Sequence, residues 1–325
     1  MIRRIFKAFF MTISAMSILG GCRYASPTAE DELLAEKAKC LAEKTEGTPG
    51  RHVGYYINNN YFGRRSIGRL SGERKATPEA LEDARRSINK RMKYLELAQD
   101  WPEPISVKIP YASVPPVLDG NLNEHAWKNA LTFEGVYPLN ELKKQKKPAT
   151  LWKVMWDKEN IYFAAQCHDE SIIAPKLERD ECVFSYDSIE IFIMTDLQTG
   201  TYWEFIVSPS SCFFDALQTA DRAGWRRVAR VSKTFKGAET GVQIDGSLNN
   251  PGDRDKSFVI EIAMPFSELP GYAKGSKPKP GERLAFMMVR TDVSNKDDSV
   301  KYYAVQPLLW TCHNTWNYIS AELVK

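Results

Sequence analysis

Histidine is scarce in this chain, with four in 325 residues, and no CxxC pair or Cys/His spacing of the kind that holds zinc occurs. Long apolar runs are missing as well. Beyond the N-terminus no segment approaches the roughly 18 uninterrupted apolar residues that a membrane-spanning helix needs. A surplus of one charge is the third absence. Lys and Arg number 44 against 41 Asp and Glu, and Arg3, Arg4 and Lys7 lie within the first seven residues, so the rest of the chain is formally neutral. A neutral protein has no broad basic field to draw in a phosphate backbone, which argues against nucleic acid as a partner. No internal repeat is visible.

What is present begins with an export signal. Arg3, Arg4 and Lys7 form a positive segment, and Ala8 to Leu19 form a short apolar one. The segment ends in Leu19, Gly20, Gly21 and Cys22, which resembles the bacterial lipobox. That resemblance implies cleavage before Cys22, lipid modification of its thiol and attachment to the cell envelope at the outer membrane. Residues 1–21 are then a lipoprotein signal peptide, 22–104 a tether with a helical annex, and 105–325 the main domain. Cys40, Cys167, Cys182, Cys212 and Cys312 remain after cleavage, an odd number that cannot all pair internally. Export permits disulfides, but the spacing does not give a connectivity, and small buried hydrophobes are the default reading.

The annex is rich in Arg, Lys, Glu and Gly. Thr77 and Pro78 make a helix start, and Leu81, Ala84, Ile88, Met92 and Leu95 recur at helical spacing up to Asp100. Tyr55, Tyr56, Tyr61 and Phe62 surround an Asn triplet and are expected to pack the annex. From Ile105 the texture changes. Ile105, Val107 and Ile109 alternate with polar residues, and Leu151–Trp156 and Ile161–Cys167 flank a polar turn as a hairpin. Further runs follow at Ser188–Met194, Tyr202–Val207, Cys212–Leu217, Val228–Phe235, Phe258–Met264, Leu284–Arg290 and Tyr318–Leu323. Short helical pieces are expected at Asn123–Ala130 and Pro265–Leu269. The pattern predicts an all-β fold, an antiparallel, jelly-roll-like β-sandwich of about ten strands.

The order of motifs in 105–325 resembles the family 9 carbohydrate-binding modules, which occur attached to xylanases. Pro116 to Trp127, with Asp119, Gly120, Leu122 and Glu124, is similar to the family's opening. A tight Asp-Gly turn there leads into a short helix whose Trp127 is expected to plug the end of the sandwich. Trp156 and Asp157, Ile161 to Ala165, and Asp169 follow the family's paired strands. Arg179, Asp180, Tyr186, Asp187, Ser188, Glu190 and Phe192 look like the stretch that carries binding residues. The Tyr202 strand with Ser208, Pro209 and Asp215, and Glu261 to Phe266, complete the order.

Sugars are recognised on flat aromatic faces, because pyranose C–H bonds stack on a negative π-face, together with convergent polar groups. Family members clamp a terminal sugar between two tryptophans. The resemblance implies Phe184, six residues before Glu190, in the first tryptophan's place, Glu190 as the strand glutamate, and Trp310 as the second platform, with Trp316 reserved for packing. Arg290 resembles the arginine that closes the equivalent family strand. Each position also has a packing reading: Phe184 in the core, Glu190 bonded to a neighbouring strand or to Arg290, Trp310 capping the core. Glu204 and Ile206 depart from the family's Arg and Asn, and Tyr318 is followed by Ile319 where a Gly is usual, so the sugar stays open. Structural calcium is implied by the resemblance; Asp169, Glu170, Asp180 and Asp196 lie in loops where oxygen ligands could converge, but a solvated acidic loop explains them as well, and no residue is assigned to a metal. The expected partners are a poly- or oligosaccharide, the membrane through Cys22, and a separate glycosidase or envelope protein.

Three other readings compete. A protein-binding scaffold would use the same surface. A glycosidase needs two carboxyls flanking one bond, and Asp187 and Glu190, an odd separation apart, point to opposite faces of their strand. Glu190 with Glu204 or Asp215 could meet across strands. A haem-binding electron-transfer sandwich would draw on His52, His125, His168 or His313.

Overall fold

The computed structural model describes residues 24–44, 61–220, 227–272, 276–294 and 299–325. The signal segment, Cys22, His52, Tyr55 and Tyr56 lie outside the described residues, as do the side chains of Tyr61 and Phe62. Residues 24–40 with 61–90 form one compact unit, and 41–44 with 91–325 form another.

In the first unit, α1 (Ala29–Lys44) opens with a reciprocal cap. Thr28 N donates to Asp31 Oδ2 at 2.8 Å while Asp31 N donates to Thr28 Oγ1 at 3.2 Å. Arg85 then grips both oxygens of Asp31, at 2.6 and 2.8 Å, and its hydrogen bonds hold that carboxyl at about 2. Helix α2 (Tyr61–Leu70) contributes Ile67 and Leu70 to the buried set. Helix α3 (Pro78–Ala98), whose residues from Arg91 on belong to the second unit, starts where the sequence indicates, with Ala80 N on Thr77 Oγ1 at 3.3 Å. The expected stripe of Leu81, Ala84, Ile88, Met92 and Leu95 is buried throughout.

Among the described residues the second unit is a sandwich of fourteen strands: β1 (Ser106–Pro110), β2 (Leu131–Glu134), β3 (Tyr137–Pro138), β4 (Thr150–Trp156), β5 (Asn160–His168), β6 (Ser188–Asp196), β7 (Thr201–Val207), β8 (Phe213–Ala220), β9 (Arg227–Arg230), β10 (Glu239–Asp245), β11 (Ser257–Pro265), β12 (Arg283–Val293), β13 (Val300–Ala304) and β14 (Ile319–Val324). One sheet runs β1-β14-β12-β6-β7-β8-β9, with β13 and β3 continuing beside β12, and the other runs β10-β11-β5-β4-β2. Ile189, Ile191 and Ile193 from the first sheet and Trp152, Phe163, Phe258 and Ile260 from the second share the core between them.

The β-sandwich follows the sequence reading, with two differences. The first strand pairs parallel to the last, Ser106 opposite Ser320, while the other strand pairings are antiparallel. Strands β2, β3, β10 and β13 were not expected, because they are short or polar and carry little apolar alternation. β10 holds Gly241, which reads as a turn signal. Its real cause is a close crossing, since a Cβ there would stand 2.3 Å from the backbone of Leu118.

Trp127 also differs in its place. It belongs to α4 (His125–Lys128) and is fully buried against Met155, Tyr162, Ala164 and Ala263. Along β5 these partners alternate with the core residues Ile161 and Phe163, so the indole covers the outer surface of the five-stranded sheet rather than the sandwich end. Its Nε1 donates to Glu261 Oε1 at 2.6 Å, and Gly120 N donates to the other oxygen of that carboxylate. Gly120 has φ +82 and backs onto Gln243, so the Asp-Gly turn needs its glycine. The opening motif and the Glu261 strand are thus one structural device.

Candidate functional site

On the outer face of the nine-stranded sheet a pocket of about 380 Å³ is lined by Leu139, Phe184, Glu190, Glu204, Tyr302, Leu308, Trp310, Thr311, Cys312 and His313. Three of the four binding residues expected from the sequence meet there. They come from two separate stretches of chain, Phe184 with Glu190 and, far along the sequence, Trp310.

Phe184 sits on a single 3-10 turn, Val183–Ser185, just ahead of β6. Val183 anchors that turn, fully buried among Ile206, Cys212 and Ala216. The Phe184 ring stands edge-on to Phe214 at 5.5 Å and stays 38 % exposed. Glu190 lies on β6 opposite Val289 and Ile206 and is 2 % exposed. Its Oε1 accepts from Thr291 Oγ1 at 2.6 Å. Burial, reinforced by the charge of Glu204, outweighs that hydrogen bond and pushes its carboxyl up to about 8.

Trp310 lies in the loop between β13 and β14 with φ +71, a left-handed conformation that bulky residues rarely take. Its surroundings hold it there. Trp310 N donates to Asn140 Oδ1 at 2.5 Å, and the indole lies parallel to the Tyr94 ring, 6.1 Å between centroids. Buried amides brace the loop: Asn317 Oδ1 accepts from Leu309 N and from Asn314 Nδ2, each at 3.0 Å, Asn314 Nδ2 also reaches Leu309 O at 3.1 Å, and Gln306 Nε2 donates to Asn317 O. Trp310 is thus a strained aromatic held firmly beside the pocket, packed against Ala98, Trp101 and Leu309.

The sequence reading gave His313 no place in a sugar pocket. It is fixed by Tyr202, whose hydroxyl shares a hydrogen bond with His313 Nδ1 at 3.0 Å, and by the edge-on ring of Phe192 at 5.4 Å. Its Nε2 is 3.7 Å from Glu204 Oε1, while Glu204 Oε2 accepts from Gln218 Nε2 at 2.6 Å. Tyr302, Leu139 and Leu308 were also missed. They arrive on β13 and on loops whose approach is set by tertiary hydrogen bonds, Leu139 N to Tyr302 O at 2.9 Å among them.

Arg290 is not brought to this pocket. It pairs with Ile189, one residue out of step with Glu190, and so points into the space between the sheets. There it is fully buried, reaching Asp169 at 2.8 Å, Asp292 at 2.6 Å and His168 O at 2.9 Å. Asp187 completes the cluster and accepts from Ile173 N at 2.6 Å and Val293 N at 2.7 Å. Burial pushes Asp169 up to about 6, despite the guanidinium, and Asp187 up to about 8.

Of the four acidic loop residues, three are engaged separately. Glu170 pairs with Arg254, Asp180 Oδ1 accepts from Asp215 N at 3.3 Å, and Asp196 Oδ1 closes its own turn with Gln198 N and Thr199 N. Oxygens of Asp169, Asp187 and Asp292 do lie within 4.8 Å of one another. The Arg290 guanidinium and backbone N–H groups already use them, so this donor set does not fit a calcium ion. His125, His168 and His313 line three different cavities. No helix among the described residues is long and apolar enough to cross a membrane.

A larger groove of about 820 Å³ lies along the five-stranded sheet, with Lys144, Lys146, Lys256 and His168 on its walls. Its lining holds no Phe, Tyr or Trp, so it offers no face for a pyranose to stack on.

Comparison with known proteins agrees with this architecture. The solved structures most similar to the chain include one of a candidate carbohydrate-binding protein from Bacteroides uniformis ATCC 8492, at TM-score 0.50 and 10 % identity, covering 68 % of this chain and 100 % of that one. Others are a family 9 carbohydrate-binding module from Caldicellulosiruptor kristjanssonii in complex with cellotriose, at TM-score 0.44 and 15 % identity over 67 % of this chain and 93 % of that one, and the same source's module with glucose, at 0.41 and 15 % over 66 % and 95 %. No curated protein matches the chain significantly. The model of the family described as carbohydrate family 9 binding domain-like matches residues 118–317, well over half of the sequence, and the chain belongs to that family.

Proposed function

We propose that this protein binds an oligo- or polysaccharide in the pocket between Phe184 and Trp310, with Glu190 and Glu204 accepting hydroxyl hydrogens, and that it does so without catalysis of its own. The observation that carries the reading is the convergence of Phe184, Glu190 and Trp310 on one pocket, with Trp310 held in a strained backbone. An exported, lipid-anchored protein of this kind would capture glycan at the envelope for a separate glycosidase. The lipobox-like Cys22 supports the anchor, and mass spectrometry of the membrane fraction tests it: an unmodified Cys22 refutes lipidation.

Retention on glycan-coated gels tests the binding. Wild-type protein is retained and Trp310→Ala is not; equal retention of both would refute this pocket. A second reading, glycoside hydrolysis, draws on one observation, the raised carboxyl of Glu190 beside Glu204, since a protonated acid next to a second carboxylate is the equipment of that reaction. Recovery of the retained oligosaccharide at its original length excludes it, and shortened products would establish it.

A further inference from the structure

We infer that the groove of about 820 Å³ along the five-stranded sheet docks an extended acidic segment of a partner protein, and does so independently of the sugar pocket. The floor of the groove is the outer face of β5, where the exposed Gln166 and His168 alternate with Ala165 and Cys167 of the core. One wall is the loop between β3 and β4. Val136 N donates to Gln145 O at 2.9 Å and Gln145 N to Val136 O at 2.7 Å, which pins that loop just beyond the edge strand β2. Gly135, at φ +79, permits the approach, since a Cβ there would stand 2.6 Å from Gln145 O. Lys144 and Lys146 flank the pinned residue, and Lys143 and Lys147 extend the run.

Among the described residues, neither the Lys144 nor the Lys146 ammonium has a hydrogen bond or an ion pair. Lys256 and His168 add to the basic lining. Lys256 is held by Asp245 at 3.0 Å, and the Glu170 carboxyl, which feels both His168 and Lys147, is held by Arg254. Glu134 is the one acid among the described lining residues. The groove therefore keeps cationic charge unmatched, and a ligand bearing carboxylates complements it. Spacing selects the chain that carries them. Residues two apart on an extended chain share a side and lie roughly 7 Å apart, which is the sequence relation of Lys144 to Lys146, so acids at alternate positions of an extended peptide reach both. The Gln166 amide can serve the peptide's own N–H and C=O groups. No aromatic ring lines the groove for a pyranose to stack on, and a concave surface does not seat a bilayer. The sugar pocket, in turn, has no Lys or Arg in its lining, so the two surfaces suit different ligands.

Fluorescence anisotropy of the full chain with a labelled peptide of alternating Glu and Ser tests this, beside the same peptide with Gln in place of Glu. At low salt the Glu peptide is expected to bind at least about tenfold more tightly than the Gln peptide, and to weaken as salt is added. Lys144→Ala/Lys146→Ala should lose roughly tenfold in affinity for the Glu peptide. Lys233→Ala/Lys236→Ala, which removes the same charge from exposed positions outside the groove, should bind it as the wild type does. Trp310→Ala should also bind it unchanged. Equal binding of the Glu and Gln peptides, or equal losses in the two lysine variants, overturns the inference. It falls as well if oligogalacturonate or phosphatidylglycerol vesicles bind the wild type more tightly than the Glu peptide and lose that binding in Lys144→Ala/Lys146→Ala, since the occupant is then a glycan or a membrane. Each of these failures leaves the reading of the Trp310 pocket standing, because that reading is tested by retention lost in Trp310→Ala.

Discussion

Buried ionisable residues gather on both sides of the sheet around β6 and β12, and the two sides handle them differently. Toward the core, Arg290 sits against Asp169 and Asp292, with Asp187 capped by two backbone N–H groups. Toward the pocket, Glu190 rests on a threonine hydroxyl and shares the pocket wall with Glu204 on the adjacent strand β7. The first arrangement ties the two sheets together around a guanidinium whose Nε is left without a hydrogen bond among the described residues. The second lines the wall of a pocket of about 380 Å³.

The comparison breaks most sharply at Arg290. Arg290→Met leaves Asp169 and Asp292 buried without their cation, and a loss of about 3–5 kcal/mol is expected in urea unfolding. A loss below about 1 kcal/mol would show that the network is not what ties the sheets. Acidity separates the two faces next. Because the folded pKa of Glu190 is raised, to about 8, its protonated form stabilises the fold; that contribution is fully present below the unfolded value and lost as pH rises through about 8. Thermal stability should therefore fall between about pH 4.5 and pH 8. Glu190→Gln, which cannot ionise, should flatten that fall by on the order of a few kcal/mol, the residual slope reporting Asp187. An unchanged slope in the variant would mean that Glu190 is not protonated in the fold.

Smaller effects come from the pocket walls. Trp310→Ala should weaken glycan binding roughly tenfold to a hundredfold at little cost in stability, and Phe184→Ala, removing a ring already 38 % exposed, roughly threefold. The reverse order of the two losses would make Phe184 the main platform. The least effect is expected from chelation: EDTA should leave the melting temperature within about 1 °C, because the buried acids hold Arg290 rather than an ion. A drop of several degrees would place a structural metal elsewhere in the chain.

The sequence reveals the pocket where motif order and strand parity suffice. Phe184 and Glu190 sit at fixed distances within one local stretch, and the odd separation of Asp187 from Glu190 does put them on opposite faces: Asp187 meets the core cluster while Glu190 meets the pocket. Arg290 could not be placed by parity within its own strand. Its direction depends on which residue of β6 it pairs with, and the register sets Val289, not Arg290, beside Glu190. His313 and Tyr302 were illegible for a related reason, since a loop braced by Gln306, Asn314 and Asn317 and a short polar strand acquire their positions from contacts distant in sequence.

The most direct test of the account compares retention on a glycan array for wild-type protein, Trp310→Ala, and a Lys144→Ala/Lys146→Ala double variant of the lysine-lined groove. Retention by the wild type and the double variant, with loss in Trp310→Ala, is the expected result. Retention that survives Trp310→Ala but disappears with the two lysines would contradict the account and move the binding surface to the other sheet.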